Sequence, residues 1–300
     1  MRKPAADLLL ILTVSLWALN FTAGKYILMH GFRPLAFSSV RYGIAGLLFT
    51  TIVLPRERSL RINRTDLKLL GAGATLLFTN QLSFVYALRF TTATTVALLF
   101  GTLPIFTALI SSAVGMERLS MRFLVAAAVS FAGVGLVALG SSVGLSAHLK
   151  GDALAVAGAI TWAGYSVLIA ALMRRYSPYR LSAVFLLAVT LPLALVGSGQ
   201  LAHQSFDLGW AVWAWFAYAV IGPLVITNVT WFTALDRVGP SRASLFANLQ
   251  PFLAAVIALV VLHESITHAQ VAGGLLIGCG ILLSPRSRTA AGTPATGEAK

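Results

Sequence analysis

The side chains best placed to do chemistry are amides, aromatic rings and cations set at helical spacing inside apolar runs. Trp17, Asn20, Phe21, Gly24 and Lys25 follow one another at i, i+3, i+4, i+7 and i+8, a single helix face. Gln81 and Phe84 stand three apart, as do Asn228 and Trp231, and Gly158, Trp162 and Tyr165 share a further face. Ser241, Ser244 and Asn248 form a stripe whose counterpart is Thr94, Ala97 and Gly101. An amide beside an aromatic ring on facing helices suits a pocket that stacks an apolar body and orients a polar head. The competing reading is structural: amides bond across helix interfaces for about 0.6 kcal/mol each, and tryptophans fill volume.

Two cations, Lys25 and Arg41, fall inside apolar runs, roughly 6 Å and roughly 10 Å below the membrane surface at the helical rise. A lysine at that depth can snorkel. A mid-membrane arginine costs roughly 2.5–3.5 kcal/mol and needs a partner. No carboxylate lies mid-run, so the candidate partners are helix-end carbonyls or an anionic group on a substrate. Either cation is therefore a candidate for attracting a substrate carboxylate. All nine acidic residues and all five histidines lie at or near run ends, loops or the tail. If the chain moves solutes, that pattern predicts facilitated transport or exchange, or coupling through Lys25, ahead of carboxylate-based proton antiport.

Catalytic patterns fail on spacing. His263, Glu264 and His268 suggest a zinc-protease helix, but that motif needs its histidines four apart, and five apart is about 140° round a helix. No nucleophile elbow, P-loop or dinucleotide fingerprint stands in a workable context. The single cysteine, Cys279, excludes a disulfide framework. No cofactor, metal or enzymatic activity is expected.

The elements that must carry these residues are membrane helices. The chain is 58% hydrophobic and 10% charged, with a mean hydropathy of +0.85, against about 25% charged for soluble domains. Ten spans are read, roughly 8–29, 34–54, 67–88, 93–115, 121–140, 152–173, 178–199, 210–235, 241–262 and 268–284. The first is too long for a signal-peptide core and lacks a small-residue cleavage site, so it is read as a helix of the mature chain. With the N-terminus cytoplasmic, the outside loops hold only Arg33, Arg89 and Lys150 of the 22 Lys and Arg, and nearly all the rest fall inside. That is a strong positive-inside signal, and it accounts for the net charge of +13 without nucleic acid. The aromatic start of the eighth span, Trp210 to Tyr218, reads as an interfacial belt, and Gly133, Gly135, Gly274 and Gly278 read as close helix packing.

The spans repeat. At an offset of 147, residues 87–117 and 234–264 share Pro104/Pro251, Glu117/Glu264 and several apolar matches. At 145, Asp7 pairs with Asp152 and Trp17 with Trp162. Five spans per half is an odd number, so the second half enters the membrane inverted, with Glu117 cytoplasmic and Glu264 outside. Inverted repeats are a device of secondary transporters, whose substrate sits near midplane between the halves.

Trp17-Ala-Leu-Asn20-Phe21 with Lys25, then Pro34 and Arg41, resembles the opening of the drug/metabolite transporter superfamily, EamA type. The Pro104…Glu117 and Pro251…Glu264 segments are similar to the close of each EamA repeat, and the resemblance covers residues 5 to 285. It implies an inverted five-plus-five helix bundle around a central cavity and alternating-access movement of small metabolites, commonly as exporters.

The expectation is thus an all-α polytopic membrane protein of ten transmembrane helices in an inverted 5+5 repeat. Residues 1–145 form the first half, 146–285 the second and 286–300 a disordered cytoplasmic tail. The expected function is secondary transport across the inner (cytoplasmic) membrane, most simply export of amino acids or related carboxylated or aromatic metabolites. The alternatives are a drug or other metabolite carrier of the same fold, or a channel. The expected partners are a small-molecule substrate and the bilayer, for a monomer or weak homo-oligomer. Candidate substrate-binding residues are Trp17, Asn20, Phe21, Lys25, Arg41, Gln81, Phe84, Trp162, Tyr165, Asn228, Trp231 and Asn248.

Overall fold

Apolar runs with short polar connections leave the backbone one way to satisfy itself in lipid, and the chain takes it by forming helices. The computed structural model describes residues 4–140, 149–262 and 267–284, and no strand occurs among the described residues. In chain order the helices are α1 (Pro4–Met29), α2 (Pro34–Glu57), α3 (Leu67–Phe90), α4 (Ala93–Phe100), α5 (Leu103–Ala113), α6 (Met121–Gly140) and α7 (Leu149–Leu172). There follow α8 (Pro178–Val196), α9 (Ser198–Ala202), α10 (Trp210–Val220), a π-helical segment (Ile221–Ile226), α11 (Thr227–Val238), α12 (Pro240–Ala247), α13 (Leu249–Leu262) and α14 (His268–Leu283). Pro34, Pro178 and Pro240 open helices, where the missing N–H costs nothing.

Among the described residues, seven helical stretches are long and apolar enough to cross a bilayer: 5–29, 34–57, 93–113, 121–139, 149–172, 178–196 and 210–238. The other three expected spans are also helical but weaker by those criteria. Helix α3 carries Asn80, Gln81 and Ser83, α14 has 16 residues, and α12 and α13 are divided by a break. The break has a cause. A proline ring has no N–H for the carbonyl four residues earlier and clashes with it. Pro251 stands four after Ala247 and Pro104 four after Phe100, and those are the last residues of α12 and α4. The repeated prolines therefore interrupt two helices at matching places, which the span pattern alone did not reveal.

Helix α2 packs on α8, α3 on α7, α6 on α14, and α1 on α10 and α11. The α6–α14 contact is close: a Cβ on Gly133 would lie 2.6 Å from the Gly273 carbonyl oxygen, and one on Gly273 2.6 Å from that of Gly133. Gly274 meets the Phe252 ring in the same way, whereas Gly135 and Gly278 face open space, so close packing holds for only two of the four glycines expected to need it. The interfacial reading of the α10 aromatics also divides. Trp210 is exposed, but Phe216 stacks on Phe32 and the Tyr218 hydroxyl donates to the Leu16 carbonyl at 2.6 Å.

Charged ties join the ends of several helices. Arg242 donates to both oxygens of Asp7 at 3.2 and 3.3 Å, Arg180 to Glu57 at 2.9 Å, and Arg175 to the buried Asp66. Glu117 accepts from the Ser111 hydroxyl at 2.8 Å and from the Ser241 N–H at 3.2 Å. It thereby holds the N-terminus of α12, where the helix dipole favours an anion. Its sequence counterpart Glu264 lies outside the described residues, as do His263 and the tail.

Candidate functional site

A cavity of about 80 Å³ opens between the helices, with room for on the order of five waters. Eight of the residues singled out from sequence line it: Trp17, Asn20, Phe21, Arg41, Gln81, Phe84, Trp162 and Asn228. The spacing argument works because α1 turns its Trp17–Asn20–Phe21 face inward, and α3 brings Gln81 and Phe84 against it. Phe21 lies 5.8 Å from Phe84 and 5.7 Å from Phe100 between ring centroids, in the separation range of favourable aromatic pairs.

Arg41 reaches this space from α2 and is 2% exposed. Its guanidinium rests 4.6 Å from the Phe37 ring centroid. Nη2 donates to Gln81 Oε1 at 2.8 Å, and Nη1 reaches Asn20 Oδ1 at 3.4 Å. Gln81 in turn donates to Asn80 Oδ1 at 3.1 Å, and Asn80 donates to the Gly158 carbonyl of α7 at 2.9 Å. A relay of neutral amides therefore fixes the cation across four helices. Among the described residues no carboxylate pairs with Arg41, and the cavity lining holds one cation and no acid.

Four predicted residues stand elsewhere. Lys25 donates to the Leu88 carbonyl at 2.7 Å and the Thr91 carbonyl at 2.9 Å, anchoring the C-terminal end of α3, where dipole and free carbonyls both favour a cation. Tyr165 is buried behind Trp162, between Phe185 and Phe232. Trp231 packs behind Trp17 at 4.8 Å, and Asn248 donates to Ser130 at 2.9 Å.

Sequence reasoning missed Asn80, Tyr42, Gln250, Leu103, Leu186 and the Pro223–Leu224 pair, all of which line the cavity. Asn80 precedes Gln81 and so falls about 100° round the helix from the face chosen. Gln250 and Leu103 each immediately precede a repeated proline, a signal that was available. Pro223 and Leu224 sit in the π-helical segment, and their carbonyls accept from the side chains of Thr227 and Asn228, the latter at 2.5 Å. Such segments concentrate at functional sites. Trp17 is fixed by the same device, its Nε1 donating to Thr227 Oγ1 at 3.1 Å.

A multi-pass helical bundle with an amide- and aromatic-lined internal cavity has the build that a membrane transport protein needs. The EamA-like transporter family model matches residues 4–139 and again 149–285, and the chain belongs to that family. It is 26% identical to an uncharacterized transporter of Archaeoglobus fulgidus over 94% of this chain and 99% of that one. It is 24% identical to a probable amino-acid metabolite efflux pump of Salmonella typhimurium and to one of Escherichia coli, in each case over 92% of this chain and 93% of the relative. A protein crystal structure superposes with a TM-score of 0.76 at 22% identity, covering 94% of this chain and 96% of that chain, a likeness of fold.

Proposed function

We propose that the protein is a secondary transporter of the cytoplasmic membrane, built from two inverted five-helix halves that expose the cavity alternately to either side. Both termini are cytoplasmic in this reading. The cargo is a small metabolite moving outward, an amino acid or a related carboxylated or aromatic compound.

The observation that carries the proposal is the make-up of the cavity wall. Five pairs of lining residues stand at the repeat offsets: Trp17/Trp162 and Arg41/Leu186 at 145, and Leu77/Leu224, Gln81/Asn228 and Leu103/Gln250 at 147. A cavity walled by equivalent positions of two related units is what an in-plane pseudo-twofold axis produces, and such an axis is how many carriers present one site to two surfaces. The packing agrees with it. Under exchange of halves α2–α8 and α6–α14 map onto themselves, and α3–α7 maps onto α1 with α10 and α11. The outward direction and the cargo class are supported by the efflux-pump relatives together with the cation and rings of the cavity.

Saturable counterflow of a labelled solute in proteoliposomes tests the carrier reading. Non-saturable flux without counterflow would indicate a channel instead.

A further inference from the structure

We infer that Arg41 binds the head of the substrate and that this head is a single carboxylate; the inference rests on the carrier reading above. It starts from an imbalance of donors. Among the described residues Arg41 is the cation of the cavity wall, and its side-chain acceptors are two neutral amides, Gln81 Oε1 at 2.8 Å and Asn20 Oδ1 at 3.4 Å. A guanidinium can only donate, and a ligand that engages it must bring acceptors. An ionised carboxylate is acceptor-only, with two oxygens that match the guanidinium fork.

Charge narrows the class further. Among the described residues the lining offers one cation and no acid, so one negative charge balances it and a dianionic phosphate does not. Arg41 already leans on Phe37 and is held at 2.8 Å by Gln81, so its fork is oriented before the ligand arrives. The 3.4 Å contact to Asn20 is the weak one, and it is the contact that a carboxylate oxygen replaces. Beyond the head, Trp17, Phe21, Phe84 and Phe100 offer ring faces and edges to an apolar body. The geometry also separates the two cations that sequence left equivalent, because the Lys25 ammonium is committed to two carbonyls of the α3 terminus and does not line the cavity.

The test compares benzoate with benzamide, which share a ring and differ in head charge, by tryptophan fluorescence titration of purified full-length protein in detergent. The wild type is expected to bind benzoate at least about tenfold tighter, the size of one charged hydrogen bond. Arg41→Gln should bring the ratio near one, and Lys25→Gln should keep the wild-type ratio. Since Arg41→Gln bears on folding, Asn20→Asp provides an independent route. It places an internal carboxylate beside an intact Arg41 and should abolish the preference by occupying the fork. A wild type without the preference overturns the assignment, as does an Arg41→Gln or Asn20→Asp protein that retains it. Counterflow of an uncharged solute by such a wild type would leave the carrier reading standing, whereas absence of counterflow for every solute would remove the carrier reading itself.

Discussion

Trp17 and Trp162 meet edge to face in the wall of the cavity, ring centroids 5.2 Å apart and planes at 89°. They occupy equivalent positions in the two sequence repeats, yet their indole nitrogens differ. Trp17 Nε1 is bonded to Thr227, while Trp162 Nε1 is buried without an acceptor. Trp17→Phe should therefore cost about 1 kcal/mol in unfolding measured in detergent, the net worth of one hydrogen bond. Trp162→Phe removes an unsatisfied donor and should be neutral or slightly stabilising. Equal losses for the two variants would contradict this asymmetry.

The Asp7–Arg242 pair ties α1 to α12. Arg242 is 4% exposed and also donates to the Ser284 carbonyl at 2.9 Å, whereas the Asp7 side chain is 25% exposed. Breaking a fully buried pair costs roughly 3–5 kcal/mol, and partial solvent access at Asp7 reduces that to about 1–3 kcal/mol. Asp7→Asn should lower the melting temperature accordingly, with less effect at high salt than at low salt. A melting temperature unchanged from the wild type would show the pair to be energetically idle.

Gly133 should not tolerate alanine. Its new methyl group would meet the Gly273 backbone, and overpacking of this kind costs about 1–3 kcal/mol. Gly135→Ala, two residues away and facing open space, is the matched control and should be neutral or mildly stabilising. Thermal unfolding of the two variants side by side checks the contrast.

Transport should be nearly independent of pH between about 6 and 8, since among the described residues no histidine or carboxylate lines the cavity and those are the groups that proton-coupled carriers titrate in the membrane. Counterflow rates should vary by less than about twofold across that range. A substrate-driven pH change in proteoliposomes, lost on replacing one acidic residue, would contradict it.

Much of the site was legible because α1 is a regular helix: the spacing of Trp17, Asn20 and Phe21 puts them on one side wherever the helix sits. The same rule placed Gln81 and Phe84. It could not separate Lys25 from Arg41, since both are cations inside apolar runs and only the approach of the α3 carboxyl end decides between them. Nor does periodicity report which of two inward faces lies in front, which is why Tyr165 and Trp231 lie behind other rings. The interrupted helices were within reach of the sequence. Pro104 and Pro251 break the ladder four residues back, and Leu103 and Gln250, beside those breaks, line the cavity. The π-helical segment around Pro223 has no repeat equivalent at Leu76, so the duplication gave no hint of it.

The inverted arrangement of the two halves is tested most directly by sidedness. With Cys279 replaced by serine, single cysteines at Arg118, beside Glu117, and at His268, where α14 begins, are labelled in intact cells with a membrane-impermeant maleimide. The account predicts labelling at position 268 from outside and at position 118 only after permeabilisation. Labelling of both positions from the same side would contradict it.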